Sequence, residues 1–281
     1  MLIPSSDGVQ VAVHDLGGTG RPLLLSHATG FHGHCYLPMA KALAAEFHSY
    51  ALDYRGHGLT PVPEQDLDQP VDWERYGDDA LAAARAVAPE GGLIAFGHSM
   101  GGAGLLMAAH RDPGLFEVIL AFEPIVFPPP DPAQPQTSTP LVAGARRRRA
   151  TFDSVEQAIA NYSSKPPMAA FTPEALRCYV EHGFMPSQQD QSITLRCAPE
   201  HEARTFESGG LHRTWEVLHE ISTRVIVVAG ANDGMGPAMI AEGIAGQLPN
   251  SEYTVLARLD HFGPMTHPAE VAKLVAAAAR G

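Results

Sequence analysis

Leu93-Ile94-Ala95-Phe96-Gly97-His98-Ser99-Met100-Gly101 is the stretch from which the fold is read. Its first four residues form a short apolar run bounded by glycines, the pattern of a buried strand. Gly97-His98-Ser99-Met100-Gly101 then matches G-x-S-x-G and leads into a small-residue helical pattern from Met100 to His110. Strand, sharp turn and helix, in that order, are the context this pentapeptide requires if its serine is a nucleophile. Glycines two residues either side of the serine remove side chains that would collide with the adjoining strand or helix. The turn lifts the hydroxyl to the carboxyl edge of a sheet and aims a helix N-terminus at negative charge formed there. Ser99 is therefore the candidate nucleophile.

Outward from that turn, short apolar runs alternate with longer helical patterns. Pro22 to Ser26, Ser49 to Asp53, Val118 to Phe122, Val225 to Ala229 and Tyr253 to Leu256 read as further strands. Tyr76 to Val87, Pro237 to Leu248 and Pro268 to Arg280 read as helices between or after them. Nearly continuous apolar strands separated by helices predict an α/β protein, with a mostly parallel central sheet covered by helices on both faces. After the fourth strand the composition changes: Pro124, Pro128, Pro129, Pro130, Pro132, Pro135 and Pro140 mark a linker. From Arg146 to about Trp215 there are helical patches, Val155 to Tyr162 and Pro173 to His182, and no convincing buried strand. The expected organisation is a core of residues 1–127 and 216–281 interrupted by a helical insertion at 128–215.

The bulk numbers narrow the partners. The 281 residues carry 31 acidic against 19 basic side chains, a formal net charge of −12. Such a surface does not attract nucleic acid or anionic lipid by charge alone. Cys35, Cys178 and Cys197 are an odd number at no metal-ligand spacing, so free thiols in a reducing compartment are expected. No basic-then-apolar leader opens the sequence, and no apolar run reaches the roughly 18 residues of a membrane span. A cytoplasmic protein without metal or organic cofactor is the expectation.

A serine hydroxyl needs a base within hydrogen-bond reach. Of 14 histidines, His261 follows the last strand and precedes the last helix, on the same sheet edge as Ser99. His267 reads instead as the lead into that helix. Two carboxylates compete to orient the imidazole. Asp233, in Gly230-Ala231-Asn232-Asp233-Gly234 after the strand ending at Ala229, is the expected one; Glu123, at the end of the strand before Pro124, is its rival. Either can hold the imidazole tautomer and stabilise the imidazolium. Oxyanion donors are expected from the backbone N–H groups of Met100, after the nucleophile, and Thr29, in the loop after Leu23 to Ser26, with Gly30 and Gly33 lending that loop flexibility.

With these residues assembled, the chain resembles the α/β-hydrolase superfamily over nearly its whole length. The resemblance rests on His27-Ala28-Thr29-Gly30 at the oxyanion loop, Asp53-Tyr54-Arg55-Gly56-His57-Gly58 at the D-x-R-G-x-G turn, the elbow at Ser99, the turn Gly230 to Asp233, and Asp260-His261-Phe262. The usual His-Gly of the oxyanion loop is His27-Ala28 here. The resemblance implies the α/β-hydrolase fold with a cap over the active site, a role the insertion at 128–215 fits. Lactone-opening members similar to zearalenone hydrolase carry their acid as a glutamate where Glu123 stands, so the resemblance leaves both acids open.

The expected activity is hydrolysis of a small, apolar carboxylic ester or lactone through an acyl-enzyme on Ser99. A C–C bond hydrolase of the same fold and a ligand-binding receptor that retains the triad are the alternatives. Epoxide hydrolase and dehalogenase chemistry is disfavoured, because those reactions need a carboxylate where Ser99 stands. Phe31, Phe127, Phe171, Phe184 and Trp215 are candidates to line an apolar pocket, against the plainer reading of core packing. Arg146 to Arg149 reads as a solvated helix start with local salt partners, and Cys35 as a packed thiol.

Overall fold

The structure is a computed structural model and describes residues 1–129, 140–231 and 236–281. The chain opens with β1 (Leu2–Pro4) and β2 (Gln10–Gly18), then β3 (Arg21–Ser26), α1 (Leu37–Leu43), β4 (Phe47–Asp53), α2 (Glu74–Val87), β5 (Leu93–His98), α3 (Met100–Arg111) and β6 (Phe116–Phe122). An inserted segment follows, with α4 (Pro140–Arg146), β7 (Thr151–Phe152), α5 (Val155–Ser163), α6 (Pro173–Gly183), β8 (Phe184–Pro186), β9 (Ile193–Leu195), α7 (Pro199–Ser208) and α8 (Thr214–Val217). The chain closes with β10 (Arg224–Ala229), α9 (Ala238–Gln247), β11 (Ser251–Val255), α10 (Gly263–Thr266) and α11 (Pro268–Ala278).

Eight strands form one sheet in the order β1-β2-β4-β3-β5-β6-β10-β11. The pairs from β4 through β11 are parallel, while β1–β2 and β2–β4 are antiparallel. The mostly parallel α/β architecture is thus present, and the two N-terminal strands extend it at one edge. Residues of a strand alternate between its faces, and both faces are dry. Leu23, Leu25, Ile94 and Phe96 pack with Met39 of α1 and Val271 of α11 on one side. Leu24 and Ala95 pack with Ala80 of α2, Leu106 of α3 and Ile244 of α9 on the other. This two-sided burial is why the strands read as continuous apolar runs instead of alternating patterns.

The inserted segment leaves after β6 and returns at β10, which pairs directly with β6 from Arg224↔Val118 to Val228↔Phe122. It therefore adds nothing to the main sheet among the described residues. It is not purely helical, as the sequence pattern had suggested: β7, β9 and β8 make a small antiparallel sheet. Two- and three-residue strands carry too little periodicity to be read from sequence. The segment packs through α6 on α1, α10 and the loop after β3, and Phe152, Tyr162, Phe171, Tyr179 and Phe184 are continuous with the core on that side of the sheet. The loops after β3, β5, β6 and β11 all open at the carboxyl edge of the parallel strands, the edge on which such sheets place ligands.

Candidate active site

Ser99 joins β5 to α3 with φ 57° and ψ −118°, a conformation that residues with side chains seldom adopt. Surrounding contacts hold it there. Its N–H donates to the Phe122 carbonyl at 2.9 Å, and its carbonyl accepts from Gly102, Ala103 and Ile125 at 3.0 to 3.2 Å. The flanking glycines are required for the reason expected. A Cβ on Gly97 would stand 2.7 Å from the Cα of Gly102, and one on Gly101 would collide with the carbonyls of Ser26 and His27. Met100 is the first residue of α3, so its N–H has no carbonyl one turn back to receive it.

His261 lies in the loop between β11 and α10, and its Nδ1 meets Glu123 Oε2 at 2.6 Å. Glu123 is 1% exposed and directly follows β6 at φ 46°, an unusual setting for a residue preceding proline. Its N–H donates to the Val228 carbonyl at 2.8 Å, and its Oε1 accepts from the Gly230 N–H at 2.7 Å. Gly230 is close-packed as well: a Cβ there would lie 2.6 Å from the Leu259 carbonyl, in the loop that carries His261. The turn after β10 thus serves the Glu123 carboxylate by a backbone donor. Asp233, the carboxylate expected from the sequence, lies outside the described residues. The imidazole has one hydrogen at Nδ1, and Glu123 is its partner here. The structure brings Glu123 and His261 into contact and sets Ser99 on the same edge without a hydrogen bond to the imidazole.

A buried relay ties the three loops together. The Ala28 N–H donates to Tyr36 Oη at 3.2 Å, Tyr36 Oη is 2.8 Å from His98 Nδ1, and His98 Nε2 is 2.8 Å from the His261 carbonyl. A carbonyl only accepts, so Nε2 carries the hydrogen and Nδ1 accepts from the tyrosine hydroxyl. Burial, followed by the nearby His261, holds the His98 pKa well below the ordinary histidine value. His98 therefore stays neutral and keeps this tautomer. Tyr36 gave no signal in sequence, since its partners lie far from it in the chain. His98 stands at the x of G-x-S before the serine, a position the pentapeptide leaves open to any residue.

The loop after β3 is fixed by comparable means. His27 Nδ1 donates to the Ala28 carbonyl at 2.8 Å and His27 Nε2 accepts from the Tyr54 N–H at 3.0 Å. Burial lowers the His27 pKa to about 4, which keeps it neutral. Ala28 sits at negative φ, so alanine replaces the usual glycine without strain. Gly30 and Gly33 serve close packing, not the flexibility expected of them. Gly30 has φ 77° and its Cα faces the Glu202 carboxylate of α7, while a Cβ on Gly33 would press on Ala51 and the His14 ring.

Phe31 lies over this edge, 6.4 Å from the His98 ring, and packs with Phe171, Tyr179 and Phe262 at 6.1, 5.5 and 6.4 Å. Of the aromatic candidates, Phe31 and Phe171 are therefore at the site, joined by Phe262, which also packs on His261. Phe184 instead packs on Phe152 and Tyr162, Trp215 lies over Gly243 of α9 in the opposite core, and Phe127 is 38% exposed. Cys35 is buried, its thiol pKa raised by burial, as a packed thiol. His267 leads into α11 as expected, and its side chain makes no capping bond there. Among the described residues no cluster of His, Cys, Asp or Glu has the arrangement of a metal site, and no helix is long and apolar enough to cross a membrane.

Comparison with known proteins agrees with this fold. The chain is 23% identical over 248 residues to a 2-(acetamidomethylene)succinate hydrolase of Mesorhizobium japonicum, covering 87% of this chain and 83% of that one. The crystal structure of E-2-(acetamidomethylene)succinate hydrolase superposes with a TM-score of 0.74 at 20% identity, over 99% of this chain and 98% of that one. A malate-bound thermophilic esterase from Thermogutta terrifontis gives 0.69 at 19% identity, over 99% and 96%. Residues 23–274 match the model of the alpha/beta hydrolase family, and the chain belongs to that family.

Proposed function

We propose that this hydrolase cleaves a carboxylic ester or lactone through an acyl-enzyme on Ser99. The observation that supports this most is the pairing of His261 Nδ1 with the buried Glu123, on the sheet edge where the strained turn presents Ser99. In this reading Ser99 Oγ attacks the substrate carbonyl and passes its proton to His261 Nε2. Glu123 holds the imidazole tautomer and stabilises the imidazolium without taking the proton itself. The N–H groups of Met100 and Thr29 receive the oxyanion, each donor contributing about 3 kcal/mol to the transition state. His261 returns the proton to the leaving alcohol, and water then repeats the sequence on the acyl-enzyme. Residues 128–215 act as the cap, bringing Phe171 and Tyr179 over the site.

The relatives include enzymes whose names denote a substituted succinate as well as an esterase, so the bond cleaved is tested directly. Turnover of short p-nitrophenyl esters by the wild type and Ser99→Ala is the experiment. The expected result is loss of turnover in the variant by at least about 10³-fold. Equal rates would sink the assignment. Turnover of a β-diketone-like substrate with poor ester turnover would favour the C–C hydrolase reading, and tight binding without repeated turnover the receptor.

A further inference from the structure

Arg148 stands just beyond α4 and is the member of the Arg146–Arg149 run that turns inward. Arg146 is engaged by Glu200 and Glu207 at the surface, and Arg149 by Gln157 and the face of Phe152. The Arg148 side chain is only 23% exposed. Its Nη1 donates to Tyr179 Oη at 2.8 Å and lies 3.1 Å from Glu202 Oε2. This cluster abuts the proposed active site at two points. The Glu202 carboxylate packs on the Cα of Gly30, next to Thr29, and the Tyr179 ring packs on Phe31.

The cluster is incompletely satisfied. Among the described residues the Tyr162 hydroxyl is buried without a hydrogen-bond partner, and so is Glu202 Oε2, whose approach to Arg148 lacks hydrogen-bond geometry. A guanidinium offers five N–H donors, yet among the described residues Tyr179 is the hydrogen-bond acceptor of this one. Buried polar clusters whose only task is to clamp two elements together are normally saturated. A planar donor fork with free N–H groups beside an unpaired hydroxyl matches a carboxylate, which accepts several hydrogen bonds at once. Burial, opposed by Arg148, raises the Glu202 pKa above the ordinary carboxylate value.

We propose that Arg148, with Tyr162 and Tyr179, is a subsite that binds a carboxylate group of the substrate, so that the favoured substrates are acids with the scissile acyl bond a short chain away. This rests on the hydrolase reading above for the reaction, but not for the binding. The binding test titrates succinate, glutarate and adipate calorimetrically into Ser99→Ala, alone and combined with Arg148→Gln or Arg148→Lys. At least one diacid is expected to bind the single variant, and Arg148→Gln to weaken that binding about 10- to 100-fold, the loss typical of a charge-assisted pair. Arg148→Lys, which keeps the charge and the stem, is expected to lose less, and it carries the test if the glutamine variant does not fold. No binding of any diacid, or binding indifferent to both substitutions, overturns the proposal.

The kinetic test compares p-nitrophenyl hydrogen glutarate with p-nitrophenyl valerate. Arg148→Gln is expected to lower kcat/KM for the acid about 10- to 100-fold and for the neutral ester by less than about 3-fold. An equal loss on both substrates would mean a merely structural role and overturns it. Diacid binding that depends on Arg148, in a protein that turns over neither ester, would instead overturn the ester-hydrolase reading and leave this subsite standing.

Discussion

Glu123→Gln tests the orienting acid, and the structure determines which way the amide must lie. Glu123 Oε1 accepts from the buried Gly230 N–H at 2.7 Å, while Oε2 accepts from His261 Nδ1 at 2.6 Å. A glutamine can keep its carbonyl oxygen on Gly230 and turn its NH₂ to His261. The reverse orientation would set two donors against each other at Gly230, at a cost of about 1–3 kcal/mol for the unsatisfied buried group. With NH₂ facing it, Nδ1 must accept, so the imidazole hydrogen moves to Nε2, the atom that has to take the serine proton. The wrong tautomer in a comparable triad lowers kcat by about 10⁴, equivalent to about 5.5 kcal/mol of barrier. The assay is kcat on p-nitrophenyl butyrate at pH 7 for wild type, Glu123→Gln and Asp233→Asn, with circular dichroism to verify folding. Glu123→Gln is expected to lose about 10³- to 10⁴-fold and Asp233→Asn less than about 10-fold. If Glu123→Gln keeps more than about a tenth of the wild-type kcat while Asp233→Asn loses the larger factor, the reasoning from the His261 contact is refuted.

Tyr36→Phe removes the hydroxyl that accepts from Ala28 and donates to His98, leaving two buried groups unpaired. Urea denaturation is expected to show a loss of about 2–5 kcal/mol; an unchanged midpoint would mean that the relay does not hold these loops. Stability should also fall on acidification. Burial depresses the His27 pKa to about 4, and burial likewise brings His32 to about 4 despite the partly opposing charge of Asp53. Above pH 6.5 each is neutral folded or unfolded; below it the unfolded chain takes up protons that the folded chain refuses. Each histidine therefore costs about 1.4 kcal/mol per pH unit from 6.5 down to about 4, where the loss levels off. Chemical denaturation at pH 7.0, 6.0 and 5.0 measures the slope, and a flat profile over that range would contradict the buried neutral state of both rings.

Much of the site was legible because its signals are local. The strand, turn and helix around Ser99 are adjacent in sequence, and the glycines either side report a steric limit that the fold imposes on those positions themselves. The same holds for His261, whose place between a strand and a helix puts it at the carboxyl edge whatever the details of packing. Gly30 and Gly33 were visible too, but their reason was not: it lies in Glu202, Ala51 and His14, which approach from elsewhere.

By itself, then, the sequence determined the two-sided parallel sheet, the sharp turn at Ser99 and the place of His261 on the same edge, since these follow from periodicity and from residues close along the chain. The identity of His261's carboxylate partner was decided only by tertiary structure. Glu123 and His261 are 138 residues apart, and they meet because β6 and β10 pair in a register that sets Gly230 against Glu123 while the loop before α10 crosses over both. The relay through Tyr36 and His98 and the inward turn of Arg148 arise in the same way. Each needs partners from separate elements within about 3 Å, a relation that no local pattern of residues encodes.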